Sequence, residues 1–292
     1  MTRAGSNGGG GINAVSTFRP AAVDQPALSL DAPIIVLAHP RTGSSLLMQT
    51  LGLLGAPMIG AQWREDCPRS ANPRGYFEDP DLRAFRFTAR NRERLGARLN
   101  GSAYKLGLKR LTDSPDREDW DWMIGARTTL LIPLRHPLES ALSERALFHL
   151  INPRDPTETN GVRGFVAAAR CLARYMGRYA FSHFRLAEMM AGEAASLAKH
   201  CWFVPYTLHR HPRRYVDTVC ERAGLTPVPD RVERAVGNIA PSLHRFRESD
   251  LPAVYRNIYN RSPARPVFET LSRHDGIGTW TSLLRLRERG SD

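Results

Sequence analysis

Three short apolar runs without polar alternation, Pro33 to Ala38, Thr128 to Leu134 and Cys201 to Pro205, constrain this chain most. A strand with one wet face alternates apolar and polar side chains, whereas a strand covered on both faces does not. Ala103 to Leu108 is a fourth, weaker candidate. Between the runs lie segments with helical spacing of apolar residues: Ser45 to Leu54, Asp79 to Leu99, Pro137 to Leu150, Val162 to Met190 and Pro212 to Ala223. This alternation predicts an α/β fold, a central parallel sheet with helices on both faces, and it places ligands at the carboxyl ends of the strands. A chain of 292 residues, 42% of them hydrophobic, can bury one large core. Residues 1 to about 30, rich in Gly, Ser, Ala and Pro, read as a flexible tail, and residues 31–292 as a single domain. The polar stretch from Asn152 to Gly161 reads as a mobile loop.

Two strand-to-helix corners carry chemistry. After Ala38 the chain turns through Pro40-Arg41-Thr42-Gly43-Ser44 into a helix with an apolar face of Leu46, Leu47, Leu51 and Leu54 that ends at Gly55. A glycine in such a turn lets successive backbone N–H groups converge on a phosphate, and the positive end of the new helix points at the same place. Ser44 and Ser45 add hydroxyls and Arg41 adds charge. The nucleotide-binding pattern G-x-x-x-x-G-K-[ST] is absent, because Ser44 stands where its lysine would be, which disfavours a conventional ATP-Mg²⁺ site. The second corner, "LLIPLRHPLESALSE", repeats the plan: Arg135 ends a strand and Pro137 opens a helix. Ser143 lies about 9 Å further along that helix, where it and Arg135 would close on one phosphate from two sides.

Charge supports an anionic ligand but does not choose one. The 41 Lys and Arg against 29 Asp and Glu give a net charge of +12, which suits nucleic acid, acidic glycans, anionic lipid or a multiply phosphorylated nucleotide. The four cysteines form no C-x-x-C pair and no cluster with histidines at metal spacing, so a reducing compartment and no metal site are expected. The chain has no apolar window long enough to span a bilayer and no signal-peptide pattern at its start, which places it in the cytoplasm as an expectation.

Taken together, Arg41-Thr42-Gly43-Ser44-Ser45 and the Arg135 to Ser143 pair resemble the sulfotransferases that use 3′-phosphoadenosine 5′-phosphosulfate (PAPS). The resemblance implies a P-loop-like three-layer fold and a sulfuryl transfer needing no metal. It implies that Arg41, Thr42, Gly43, Ser44 and Ser45 hold the 5′-phosphosulfate, with Leu46 next to them in the cofactor site, and that Arg135 and Ser143 hold the 3′-phosphate. Tyr206, in "CWFVPYTLHRHPRRYV", maps to the adenine contact. Arg273, in "RHDGIGTW", maps to a segment that closes over the 3′-phosphate, although Asp275 replaces the first glycine of that family segment. Leu46 stands where the hormone and phenol branch has a tryptophan. Leu106-Gly107 after Lys105 leaves no catalytic histidine there, so the chain is more similar to bacterial and carbohydrate-type members.

Transfer to a hydroxyl or amine of a small-molecule, carbohydrate or lipid-linked acceptor requires a base. Glu78, in "NPRGYFEDPD", is favoured because the turn before it presents it ahead of a helix. Glu65, in "QWRED", is the second choice. Arg41 would stabilise charge on the leaving oxygen, and Lys105 would reach the transferring group from its strand. Trp63, Tyr76, Phe77 and Phe148 either line an apolar acceptor pocket or form core. Two other classes remain open at this stage: an ATP-dependent phosphotransferase, and a non-enzymatic basic module for nucleic acid or heparin. The second lacks the interleaving of aromatic and basic residues that such modules use, and nucleic acid is not expected as a partner.

Overall fold

The computed structural model describes residues 28–60, 75–78, 99, 101–108, 126–151, 162–192, 194–239, 251, 253–273 and 277–289, without the side chains of 148–151, 162–163 and 277. Four strands, β1 (Ile34–Ala38), β2 (Ala103–Gly107), β3 (Thr129–Leu134) and β4 (Cys201–Pro205), form an all-parallel sheet in the order β2-β1-β3-β4. The sequence predicts each of them within one residue. Helices follow as α1 (Ser44–Leu54), α2 (Pro137–Ile151), α3 (Val162–Ala191), the short α4 (Ala195–Ala198), α5 (Pro212–Ala223), α6 (Pro229–Asn238), α7 (Ala253–Asn260), α8 (Ala264–Arg273) and α9 (Ile277–Arg289). The expected α/β sandwich is what the chain forms.

Alternate residues of the buried strands feed two separate cores. Ile34, Val36, Leu131 and Val204 pack with Leu47, Leu51 and Leu54 of α1, Tyr215, Val216 and Val219 of α5, and Ala235 of α6. Ile35, Leu37, Leu130, Ile132 and Phe203 point the other way, onto Leu138 of α2, Leu172 and Met176 of α3, and Val267 and Trp280 of α8 and α9. Each fully buried Leu, Ile or Val contributes about 1.5–3 kcal/mol, so both layers hold the sheet and a polar residue at any of these positions would be costly.

Strand order fixes where the site must be. The chain passes from β1 to β2 on one side, then returns to place β3 on the other side of β1. The turns leaving β1 and β3 therefore flank the point where strand order reverses, the crevice in which such sheets bind ligands. At the opposite end, Gly55 closes α1 with φ 100°, and the guanidinium of buried Arg231 from α6 lies against it so tightly that a Cβ there would overlap it.

Four features differ from the expectations or lie outside them. Leu28, whose N–H donates to Gly55 O at 2.9 Å, and Leu30 pack on the α1 core, ahead of the expected boundary near residue 31. Residues 1–27, the loop 152–161 and most of the expected helix 79–99 lie outside the described residues. The helices α6 to α9 were not expected; Trp280, read by resemblance as part of a closing segment, sits in the first turns of α9 with its ring 5.5 Å from Phe203 in the core. Phe77 is likewise a core residue, which removes it from an acceptor pocket.

Candidate functional site

The turn after β1 is built from two left-handed residues, Arg41 at φ 64° and Gly43 at φ 101°. Gly43 is the N-cap of α1 and offers no side chain to cap the first helical N–H groups, and the positive end of the helix at that place suits an anion. The glycine is required twice. Its φ disfavours any other residue, and a Cβ would come within 2.4 Å of the Tyr206 ring. Thr42 is 1% exposed and its hydroxyl donates to His39 O at 2.8 Å, so the side chain braces the turn, and only its backbone is left to meet a ligand.

Arg41 ties the two corners together. Its Nε donates to Ser143 Oγ at 3.1 Å, and its carbonyl accepts from Arg135 Nη1 at 3.3 Å. Ser143, expected to close on one phosphate together with Arg135, is bonded here to Arg41. Arg135 is 7% exposed, holds Glu139 one turn along α2 at 3.4 Å, and lies over the Tyr206 ring with 4.7 Å from Cζ to the centroid. That face-on placement adds about 0.5–2 kcal/mol of attraction. Tyr206 starts a 3-10 turn directly after β4 and also stacks on His209 at 4.4 Å. Glu139, in the first turn of α2, is a neighbour that the sequence analysis does not name; Arg135 precedes the helix, so no helical spacing marks the pair.

On the other side, Ser45 Oγ donates to Tyr76 O at 3.4 Å, and Lys105 Nζ donates to the same carbonyl at 2.9 Å. Lys105 also pairs with Glu78 Oε1 at 2.7 Å. The segment 75–78 is therefore docked beside the first corner, with buried Phe77 at φ 51°, a conformation that a bulky residue adopts only when its surroundings impose it. Glu65, the second candidate base, lies outside the described residues.

Ten of the predicted residues, Arg41, Thr42, Gly43, Ser44, Ser45, Glu78, Lys105, Arg135, Ser143 and Tyr206, are thus grouped toward the carboxyl end of the sheet, Arg41, Arg135 and Tyr206 just beyond β1, β3 and β4 and Lys105 reaching in from the middle of β2. Leu46 is half-buried and packs into the α1 core instead. Arg273 is not joined to the group: it ends α8 with its side chain 71% exposed and its guanidinium 3.7 Å from Glu269 of its own helix.

What the cluster can do follows from its donors. Two guanidiniums, an ammonium, three serine hydroxyls and a helix N-terminus gather here beside two carboxylates, Glu78 and Glu139, each paired with a cation. Such a set suits a ligand with more than one anionic group. Among the described residues no helix is long and apolar enough to cross a membrane. No protein-family model, no curated protein and no solved structure matches the chain.

Proposed function

We propose that the protein is a sulfotransferase that moves the sulfuryl group of PAPS to a hydroxyl or amine of a small-molecule, carbohydrate or lipid-linked acceptor, releasing adenosine 3′,5′-bisphosphate. The observation that carries this reading is the joining of two anion-type corners through Arg41, which touches both Ser143 and Arg135. One corner alone would suit any phosphate; two suit a nucleotide with phosphate groups at separate positions. The glycine that only a side-chain-free residue can fill, and the absence of the lysine that ATP-binding loops use, favour the same ligand over ATP.

In this reading the loop amides, Ser44 and Ser45 hold the 5′ group, and Arg135 with Ser143 holds the 3′-phosphate, while Tyr206 offers its ring to the base. Sulfuryl transfer needs positioning and charge stabilisation more than covalent help. The acceptor oxygen forms a bond to sulfur as the bond from sulfur to the 5′-phosphate oxygen breaks, and the electron pair leaves with the phosphate, where Arg41 and Lys105 stabilise it. Glu78 takes the acceptor's proton.

Calorimetric titration with adenosine 3′,5′-bisphosphate, with ATP and AMP as controls, tests the proposal. Micromolar binding that requires the 3′-phosphate and weakens by about 1.5–3 kcal/mol in Arg135→Ala, the worth of a charge-assisted bond, is the expected result. Preference for ATP with Mg²⁺ would replace the reading by a phosphotransferase, and no nucleotide binding would return it to a basic module.

A further inference from the structure

Behind the first corner lies a buried polar cluster that the proposed function leaves unused. Tyr175 of α3 puts its hydroxyl 2.6 Å from Pro40 O and 2.9 Å from His39 Nδ1. One turn on, Tyr179 packs edge-on to His39 with ring centroids 5.4 Å apart, and His183, a turn further, bonds through Nδ1 to Tyr179 O at 2.7 Å. A carbonyl can only accept. The single proton of the Tyr175 hydroxyl therefore goes to Pro40 O, its lone pair accepts from His39, and His39 carries its hydrogen on Nδ1. By the same rule His183 donates from Nδ1. Burial lowers His39 to about 3 and His183 to about 4, so both rings are neutral near pH 7.

We infer that Tyr175 is a positioning residue for the anion-binding turn, with His39 aiming its hydroxyl. The peptide joining Pro40 to Arg41 is planar and trans. Pinning its C=O toward α3 thereby points the Arg41 N–H the opposite way, out of the α3 face and into the turn. The same pin holds Arg41 in its left-handed conformation, which a non-glycine residue keeps only when its surroundings hold it there, and from which its side chain reaches Ser143. Tyr175, Tyr179 and His183 recur every four residues along the buried side of α3, so the helix that walls the second core also holds the rim of the site.

The inference rests on the proposed function only for the nucleotide used to read it, and the test separates the two. In Tyr175→Phe, amide order parameters from nuclear magnetic resonance should fall at Arg41–Ser45 from about 0.85 to below about 0.6, with those at Tyr215–Val219 of α5 unchanged. Affinity for adenosine 3′,5′-bisphosphate should fall about tenfold, a loss of about 1.4 kcal/mol. Order parameters that stay at their wild-type values in the turn, or fall equally in α5, would overturn the inference. Wild-type protein that fails to bind the nucleotide would sink the proposed function, while the order parameters still judge Tyr175. Should Tyr175→Phe not fold, His39→Asn and His39→Leu read the same network: Asn keeps an N–H donor and should keep the turn ordered, and Leu should loosen it. Equal behaviour of the two would again overturn the inference.

Discussion

The two corners of the site solve one problem by opposite means. The turn after β1 reaches its helix through two left-handed residues, covered by Tyr206 and backed by neutral, buried His39, Tyr175 and His183. The turn after β3 enters α2 directly through Pro137 and rests on a buried charged pair, Arg135 with Glu139. The first is backed from α3 by neutral hydrogen bonds, the second by a buried ion pair. The contrast teaches that a cradle for anions need not be uniformly cationic: its rigid rim and its charged wall are separable parts.

Acid should break the first corner hardest. Burial holds His183 at about 4 and His39 at about 3, below the usual 6.5 of the unfolded chain. Between those values the unfolded state binds the extra protons, so the stability present above pH 6.5 is lost as pH falls toward 4. Each histidine removes about 1.4 kcal/mol per pH unit, on the order of 3 kcal/mol for His183 alone. Urea midpoints measured from pH 7 to pH 4 should show this fall, and His183→Asn should flatten it; an unchanged slope would mean that the ring is not buried neutral.

Gly43→Ala comes next. A Cβ forced to φ 101° and into the Tyr206 ring should cost about 3 kcal/mol. Adding Tyr206→Ala should recover the part due to overlap and leave the part due to φ, which a double-mutant cycle in urea separates. For the charged corner, Arg135→Ala should destabilise by about 2–3 kcal/mol because it takes a buried cation away from buried Glu139. Removing both Arg135 and Glu139 should then cost less than removing Arg135 alone. The smallest effect belongs to the bond between the corners: Ser143→Ala should cost about 1 kcal/mol in nucleotide affinity, read by calorimetry, with little change in melting temperature.

How much of this was legible depends on the range of the interaction. The strands were readable because a segment buried on both faces leaves an unbroken apolar run, and the corners because glycine, arginine and serine types are tied to local backbone geometry. Helices α7 and α8 were not. "AVYRNIYN" and "ARPVFETLSR" mix β-branched residues, proline and arginine, and their helices form by packing on α2 and α3 rather than by local preference. The pairings inside the site were equally hidden. Ser143 joins Arg41 across 102 positions and Tyr175 joins His39 across 136, and neither spacing leaves a mark in a single sequence. Arg273 shows the limit of motif reading from the other side: the segment around it resembles a closing loop, yet its side chain turns to Glu269.

Helix α1 has a glycine in the left-handed region at each end, and each is covered by a side chain from the second half of the chain: Tyr206 on Gly43 and Arg231 on Gly55. A ribosome delivers α1 long before either cover. Until β4 and α6 have emerged, neither glycine has the side chain that covers it in the finished fold. The turn ahead of α1 is therefore covered by a part of the chain that is made after the turn itself.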